Sequence, residues 1–322
     1  MQEGRRTMKL DILCLGEAMV EFNQTGGPNS DQYLRGFGGD TSNCAIAASR
    51  QGARTGYCTL LGRDPFGDLL LDLWKSEGVA TDGVGRHDSA PTGIYFVTHT
   101  DKGHAFTYYR KGSAASRMTP ADLPVSLLQD TAMLHVSGIS LAISPEMRET
   151  VMTAIDIMRK AGRKVSFDTN LRLKLWSADE ARPHVDAALA LSDIAIPSLE
   201  DSTALTGLDD PVAILDLYRG RGIPLVVLKC GAAGVMVADA GGRWRIAGHK
   251  VPTVDATGAG DCFDGAFLAE IVRGASPLEA AAYANAAAAL TTIGYGAVAP
   301  IPRRAAVEAF FRSMGRAEPE PV

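Results

Sequence analysis

The stretch Asp255-Ala-Thr-Gly-Ala-Gly-Asp261-Cys-Phe-Asp264-Gly-Ala-Phe267 is the most informative part of this chain of 322 residues. It places the small residues Gly258, Ala259 and Gly260 directly before an acid and an apolar run typical of a helix. Small residues let a ligand approach the backbone closely, and the first amides of a helix have no partner within it. We therefore predict a helix amino terminus that binds an anion. An ordinary loop with an acidic first helical turn is the alternative.

Asp261 is predicted to lie in the first turn of this helix, beside the anion that the amides bind. A carboxylate repels an anion, so its presence there needs a chemical reason. The simplest reason is that Asp261 takes a proton from a nucleophile that attacks a bound phosphate. Phosphoryl transfer depends mainly on positioning and charge stabilisation, which such an arrangement would supply.

Composition and charge indicate a soluble globular protein with enough apolar residues for a large core. Hydrophobic residues make up 46% and charged residues 21%, and the net charge is −5. Lys and Arg are scattered without a basic tract, which argues against nucleic acid or an anionic membrane as a partner. The five cysteines have no Cys-x-x-Cys spacing, which favours free thiols over disulfides or a zinc site. We see neither a signal peptide nor an apolar run of roughly 18 residues, so a cytoplasmic location is expected.

From about residue 130 the sequence alternates short apolar runs with helical patterns. Strands are predicted at 132–136, 165–167, 193–196 and 225–228, with helices at 145–161 and about 179–191 between them. Ser144 and Pro145 are a typical helix start, and Gly162 a typical helix end. This alternation predicts a mostly parallel sheet with helices on both faces, in a single α/β domain over 1–322.

Two other segments read as strands of a separate small sheet. Residues 88–112 resemble a β-hairpin with a polar turn at 101–103, and residues 17–37 are strand-like with a glycine-rich interruption. We predict that both form a lid on the main body; two edge strands of the main sheet are the alternative. The Pro- and Glu-rich tail at 318–322 is expected to be disordered.

A second motif, Gly38-Gly39-Asp40-Thr-Ser-Asn43, lies near the amino terminus and precedes a small-residue helix at 45–49. The chain has no Walker P-loop sequence and no protein-kinase motif set, and Gly36–Thr41 lacks the third glycine of a dinucleotide fingerprint. Together the two motifs resemble those of the ribokinase-like (PfkB-type) carbohydrate kinase family, whose second motif reads Asp-Thr-x-Gly-Ala-Gly-Asp. Ala256 departs from it, while Thr257 is retained. The resemblance covers about residues 10–305 and implies a three-layer α/β/α fold.

The resemblance implies roles for the matching residues. Asp261 resembles the general base for a sugar hydroxyl, and the amides of Gly258, Ala259 and Gly260 resemble the anion hole. ATP and Mg²⁺ are the implied cofactors. The residues implied for nucleotide binding are Ser198, Lys229, Gly231, Gly234, Thr257, Gly258, Gly260 and Asn285. Ser198 and Asp201 replace the Asn and Glu of the family's Asn-x-x-Glu, which makes Asp201 the candidate metal contact. A tight turn at 229–234 and simple helix packing at Asn285 are the alternatives.

The sugar is predicted from two arginine-bearing segments. Asp168-Thr-Asn-Leu-Arg172 resembles a segment of fructokinases and 2-keto-3-deoxygluconate kinases, and Tyr108-Tyr-Arg110 resembles the latter more closely. Arg binds carboxylates through a fork of donors, so Arg110 and Arg172 would suit a sugar acid. The alternative is that both pair with surface acids. The implied substrate contacts are Gly39, Asp40, Asn43, Tyr95, Tyr108, Arg110, Arg172 and Asp261.

We therefore expect ATP-dependent phosphorylation of the terminal hydroxyl of 2-keto-3-deoxygluconate. A fructokinase or other hexose kinase of the family, a nucleoside kinase, and a non-catalytic sugar-acid sensor on the same fold remain alternatives. Apolar side chains on the lid, including Phe106 and Tyr108, also predict a homodimer or higher homo-oligomer formed through it.

Overall fold

The computed structural model describes residues 9–27, 30–100, 103–315 and 317–322. The strands are β1 (Leu10–Leu15), β2 (Met19–Gln24), β3 (Tyr33–Gly38), β4 (Thr55–Gly62), β5 (Ala80–His87), β6 (Ile94–Thr100), β7 (Gly103–Tyr109), β8 (Thr131–Ser137), β9 (Lys164–Asp168), β10 (Ile194–Ala195), β11 (Leu225–Lys229), β12 (Gly234–Asp239), β13 (Gly242–Ala247) and β14 (Glu320–Pro321). The helices are α1 (Asp40–Arg50), α2 (Pro65–Ser76), α3 (Val125–Gln129), α4 (Gly138–Ala142), α5 (Pro145–Lys160), α6 (Ala178–Ala190), α7 (Leu199–Thr206), α8 (Pro211–Gly220), α9 (Ala259–Arg273), α10 (Pro277–Thr291) and α11 (Arg304–Met314).

The large sheet has the order β14-β13-β12-β11-β10-β9-β8-β1-β4-β5 in the described residues. Every pair from β11 to β5 is parallel, and the three pairs from β11 to β14 are antiparallel. Crossover helices cover each side of such a sheet, which agrees with the continuous apolar run at 225–228 in β11. The prediction of a mostly parallel α/β sheet is confirmed.

Helices cover both faces of the large sheet, as alternating side chains of β1 show. Ile12 and Cys14 belong to a core that also includes side chains of α1, α2, α9 and α10. Leu13 and Leu15 belong to a second core with α5, α6 and α8. Successive residues of a strand point to opposite faces, so each core lies between the sheet and one outer helix layer of a three-layer fold.

The small sheet has the order β3-β2-β6-β7 and is separate from the large one. The strands β6 and β7 form the predicted hairpin, while β2 pairs with β6 in parallel and with β3 in antiparallel fashion. Asp101 and Lys102 of the predicted turn lie outside the described residues. Since these strands do not join the large sheet, the alternative of two edge strands is wrong.

The carboxy-terminal tail is ordered, which corrects the expectation of disorder. Glu320 and Pro321 pair with β13, and the Val322 amide donates a hydrogen bond to the Arg243 carbonyl at 3.1 Å. The cause is the free edge of β13, whose backbone groups need partners. Within the described ranges, every helix is too short or too polar to cross a membrane.

A close approach of α1 and α9 determines the position of the two sequence motifs. A side-chain carbon at Gly265 would lie 2.3 Å from the carbonyl oxygen of Cys44, so the absence of a side chain lets the helices touch. This contact brings the Gly39–Asn43 and Asp255–Asp261 segments together, although they lie at opposite ends of the chain.

Candidate active site

The amino terminus of α9 carries open backbone amides. Gly258 precedes the helix with a φ of 75°, and the Ala259 amide donates to the Ala256 carbonyl at 3.2 Å. Within the described part of the chain, the amides of Gly258, Gly260 and Asp261 have no such backbone acceptor. Adjacent free donors at the positive end of a 15-residue helix suit an anion. The Ala259 amide is the one predicted donor that the turn already uses.

Asp255 holds the loop before α9 in shape. Its carboxylate accepts hydrogen bonds from the Thr257 amide at 2.9 Å, the Thr257 hydroxyl at 2.6 Å and the Gly296 amide at 2.9 Å. Gly258 lies so close to Ala297 that a side-chain carbon would come within 2.8 Å of its carbonyl oxygen. The loop is therefore fixed before any ligand binds, and the hydroxyl of Thr257, a predicted nucleotide contact, is directed at Asp255.

Asp261 lies in the first turn of α9 and contacts the first motif. The side-chain amide of Asn43 donates a hydrogen bond of 2.8 Å to Asp261 Oδ2. Burial, followed by the nearby charges of Asp40 and Asp168, raises the pKa of Asp261 to about 7, against the opposing effects of Asn43 and Lys229. A carboxylate with a pKa near neutrality is well suited to accept a proton at physiological pH.

Asp40 and Asn43 lie near Asp261, and each has one side-chain oxygen that accepts no hydrogen bond. Asp40 Oδ2 accepts hydrogen bonds from the Ser137 hydroxyl and, at 3.0 Å, from the Asn170 side chain. Asp40 Oδ1 and Asn43 Oδ1 are buried without a hydrogen-bond partner. Gly39, with a φ of 124°, brings the backbone within reach of the same region. Buried acceptors without donors are costly, so they fit a ligand that carries several hydroxyl groups.

Arg110 is engaged by a buried acid that the sequence analysis missed. Its Nη2 atom lies 2.5 Å from Glu17 Oε2, with 13% of the Arg110 side chain and 0% of the Glu17 side chain exposed. Neither atom has a well-aligned hydrogen bond, so this is a charge contact. The Ser113 hydroxyl donates to Glu17 Oε1 at 2.6 Å. Arg110 therefore pairs with an acid, as the alternative interpretation predicted, but this acid is buried and does not lie on the surface.

Arg172 is exposed and lies between the small sheet and the large one. Its Nη1 donates to the Leu171 carbonyl at 3.1 Å. Burial raises the pKa values of two neighbours, Tyr108 and Asp201, and the charge of Arg172 lowers both. Arg110 also lowers the pKa of Tyr108, so the structure brings both arginines close to this tyrosine.

Tyr95 is held by a second acid that the sequence analysis missed. Its hydroxyl donates a hydrogen bond of 2.5 Å to Glu21 Oε2, and the Tyr108 ring stacks on it with centroids 5.5 Å apart. A side-chain carbon at Gly38 would lie 2.3 Å from the Tyr95 hydroxyl oxygen, so this glycine makes room for the ring. The hint in the sequence was Glu21 between the apolar Val20 and Phe22 of β2.

The predicted nucleotide residues mostly have partners within the protein. Ser198 caps α7 by accepting from the Asp201 amide at 3.0 Å, and the Asn285 side chain donates to the Ala247 carbonyl at 2.7 Å. Gly231 and Gly234, with φ values of 56° and 101°, form the tight turn between β11 and β12. The tight-turn alternative is therefore present, and contact with a nucleotide stays a prediction for all of them.

Lys229 points its ammonium into the protein. Nζ lies 3.0 Å from Asp168 Oδ2 and 2.9 Å and 3.1 Å from the two oxygens of Asp264. The sequence predicted that Lys229 binds the nucleotide, whereas in the structure its ammonium contacts two buried carboxylates.

The metal prediction rests on one carboxylate. In the ranges that the structure describes, no three His, Cys, Asp or Glu residues are grouped to hold an ion. Asp201 accepts a hydrogen bond from the Thr169 hydroxyl at 3.3 Å, and burial and the Asp168 charge raise its pKa. Mg²⁺ in such enzymes takes one or two carboxylates and completes its shell with phosphates and water. A lone carboxylate fits a metal that arrives with a nucleotide.

Comparison with known proteins agrees with this geometry. The family model for pfkB family carbohydrate kinases matches residues 9–304. The 2-dehydro-3-deoxygluconokinase of Bacillus subtilis is 34% identical over 310 residues, which cover 94% of this chain and 96% of that protein. Fructokinase-2 of Solanum habrochaites is 33% identical, with 90% and 93% covered. The candidate ribokinase II of E. coli, solved with ATP and Mg²⁺, has a TM-score of 0.87 at 26% identity, with 94% and 99% covered. The chain therefore belongs to the pfkB family and is a carbohydrate kinase.

Proposed function

We propose that this kinase transfers the γ-phosphoryl group of ATP to the terminal hydroxyl of 2-keto-3-deoxygluconate. The observation that carries the proposal is the meeting of three features in one place. Asp261 lies beside the open amides of Gly258 and Gly260, and the unused acceptors of Asp40 and Asn43 lie on the neighbouring helix. A base, an anion site and hydroxyl acceptors are the parts that phosphorylation of a sugar alcohol needs.

In the proposed reaction, Asp261 accepts the proton of the terminal hydroxyl as its oxygen bonds to the γ-phosphorus. The bond from that phosphorus to the bridging oxygen breaks, and ADP leaves with the electron pair. The amides at the start of α9 stabilise the charge on the transferring group. Asn43 orients Asp261 through its hydrogen bond of 2.8 Å. Mg²⁺, with Asp201 as its candidate protein contact, would neutralise phosphate charge when it is bound.

Two features support a sugar acid as the acceptor. Arg172 is exposed near Tyr108, and besides the Nη1 that donates to the Leu171 carbonyl its guanidinium has further donors for a carboxylate. The charge of Arg110 also acts on Tyr108 and lowers its pKa. The relatives named 2-dehydro-3-deoxygluconokinase include those of Bacillus subtilis and, at 35% identity, Dickeya dadantii.

A fructokinase is the second candidate, and one observation favours it. Glu17 already neutralises Arg110, which weakens the attraction of that arginine for a second carboxylate. A neutral hexose would not need it. Fructokinases stand close to the sugar-acid kinases among the relatives, at 33% identity for the Solanum habrochaites protein.

An ADP-release assay on purified protein separates the candidates. The protein would be supplied with Mg-ATP and, in turn, 2-keto-3-deoxygluconate, its C4 epimer, fructose and ribose at equal concentrations. We expect kcat/KM for the sugar acid to exceed that for either neutral sugar by at least about tenfold, as one charge-assisted contact implies. A preference for fructose would contradict the substrate and leave the kinase class intact.

We also propose that two copies associate through the small sheet. Its exposed apolar side chains are Tyr33, Leu34, Phe106, Tyr108 and Tyr109. Leu34, Phe106 and Tyr108 lie on one face of this sheet, whereas Tyr33 and Tyr109 lie on the other. Exposed apolar side chains gathered on one face commonly mark a protein interface. Light scattering after size-exclusion chromatography should give the mass of a dimer, and Leu34→Glu should return a monomer; a monomeric wild type would contradict the proposal.

A further inference from the structure

Lys229, Asp168 and Asp264 form a buried cluster, which we call the Lys229 triad, directly behind the start of α9. Their side chains are 13%, 5% and 1% exposed, respectively. The mechanism proposed above uses none of them. Lys229 ends β11, Asp168 ends β9, and Asp264 lies one helical turn after Asp261 on α9. The triad therefore joins two strands of the large sheet to the helix that carries the anion hole.

The two carboxylates of the triad have pKa values that shift in opposite directions. Burial, followed by the charge of Asp168, raises the pKa of Asp264 well above its ordinary value. Although burial opposes it, the Lys229 charge together with the hydrogen bonds from Asp264 and Lys229 lowers the pKa of Asp168. These directions favour an ionised Asp168 and a charged Lys229 beside a protonated Asp264. Such a group is electrically neutral and fully hydrogen-bonded, which a buried polar cluster requires.

The triad also reaches both halves of the site. On one side, Nζ of Lys229 lies 3.7 Å from the point where a Gly260 side-chain carbon would be, so it packs beside an anion-hole residue. On the other, Asp168 Oδ1 accepts a hydrogen bond of 3.3 Å from the Asn170 amide, and the Asn170 side chain donates to Asp40. Asn170 adopts a φ of 28°, which few residues other than glycine adopt. A strained residue between Asp168 and Asp40 is held in place by these bonds.

We propose that Lys229 and Asp264 are positioning residues for phosphoryl transfer. Through the triad they fix the first turn of α9 against β9 and β11, and with it the amides and carboxylate that act on the phosphoryl group. Both side chains point into the triad, so in this proposal they act on the substrates through the residues of α9. The inference rests on the proposed centre at Asp261, but not on which sugar is the acceptor.

Asp264→Ala is the decisive variant because it removes the hydrogen bonds between α9 and Lys229. Lys229 and Asp168 remain as a neutral pair. No charge is stranded, so the protein should fold. A displacement of reacting groups by about 1 Å can lower a rate by about a hundredfold. We expect kcat to fall by roughly ten- to a hundredfold, with the KM values for ATP and sugar changed by less than about threefold. Calorimetric titration with ATP should still count one site per chain, which shows that the loss is not unfolded protein.

Asp264→Asn is the matched control. An asparagine has the shape of a protonated aspartate, accepts from Lys229 and donates to Asp168. It should therefore keep kcat within about threefold of the wild type. If the asparagine variant loses as much activity as the alanine variant, or if the alanine variant keeps full activity, the positioning role is wrong.

Lys229→Met tests the triad from its other side. It leaves the Asp168 carboxylate buried without a counter-ion, so both the unfolding temperature and kcat should fall. A folded Lys229→Met protein with wild-type kcat would overturn the proposal. Failure of Asp261→Asn to lose activity would instead refute the phosphoryl-transfer centre itself, so the two failures are distinguishable.

Discussion

The two ends of the candidate site are built in different ways. At the phosphoryl-transfer end, the amides of Gly258 and Gly260 and the carboxylate of Asp261 come from one helix turn, which Asp255 and the Lys229 triad hold. At the proposed sugar end, Arg110 and Arg172 come from separate segments. One of them is bound to Glu17, and the other is exposed.

This difference separates the residues that we assign to the reaction from those that we assign to the choice of sugar. The phosphoryl-transfer end is local in sequence and rigid in structure, because a few ångströms of misplacement would remove its effect. The proposed sugar end, which we call the flexible end because its long arginine side chains have many rotatable bonds, depends on partners that the tertiary structure sets. In this proposal, related chains change the sugar while they keep the reaction. The presence of both 2-dehydro-3-deoxygluconokinases and fructokinases among the relatives agrees with this division.

The largest effect is expected at the rigid end. Asp261→Asn removes the proposed base but keeps its shape and its contact with Asn43. We expect kcat to fall by about a hundred- to ten-thousandfold, the usual contribution of general-base catalysis. Turnover within tenfold of the wild type would show that another group accepts the proton.

The same variant has an expected effect on stability that opposes its effect on activity. Because the folded protein raises the pKa of Asp261 above its value in the unfolded chain, the folded state binds the proton more tightly. The stabilisation from this proton is present at low pH and is lost as the pH rises through about 7. At pH 8, where Asp261 is ionised and the asparagine is neutral, the unfolding temperature of Asp261→Asn should be higher than that of the wild type.

The flexible end should show smaller effects that depend on the sugar. Arg172→Ala should raise the KM for 2-keto-3-deoxygluconate by about ten- to a hundredfold, as for the loss of a hydrogen bond to a charged group. The KM for fructose and the kcat should change little. Lys160→Ala, which removes an exposed cation from α5, is the control and should leave all constants unchanged. An equal rise in KM for both sugars would exclude a carboxylate contact.

The pH dependence of the rate tests the rigid end again, without mutation. Burial and the charge of Asp40 raise the pKa of Asp261 to about 7, and the base acts only when it is ionised. The value of kcat/KM should therefore be constant above pH 8 and fall about tenfold for each pH unit well below 7. A limb centred near pH 4 would show that Asp261 is not perturbed or not the base.

The sequence predicted the rigid end better than the flexible end, for a physical reason. Glycine spacing, an acid in the first helical turn and an apolar run are local features, and they predicted the start of α9. The role of its amides stays a prediction. The triad partners of Lys229 come from separate elements that meet only after the sheet is assembled. Nothing near Lys229 in the sequence indicates that its charge is directed inward.

Glu17 and Glu21 show the same limit at the flexible end. The sequence places both acids near the end of β1 and in β2, whereas their partners Arg110 and Tyr95 lie on the hairpin segment. The pairing of β2 with β6 brings them together, and this parallel pairing has no local signal. The tail at 318–322 was mispredicted for a related reason, because the free edge of β13 became visible only with the sheet order.

The smallest effect should come from the outermost contact of the flexible end. Tyr108 is 42% exposed and stacks on Tyr95, whose hydroxyl is already bound to Glu21. Tyr108→Phe keeps the ring and removes only the hydroxyl, so the KM for the sugar acid should rise by no more than about fivefold. Tyr95→Phe, by contrast, leaves the Glu21 carboxylate without its donor and should have the larger effect of the pair. If Tyr108→Phe proves more harmful, its hydroxyl binds the sugar directly, and the flexible end is more closely fitted to its ligand than the contacts within the protein indicate.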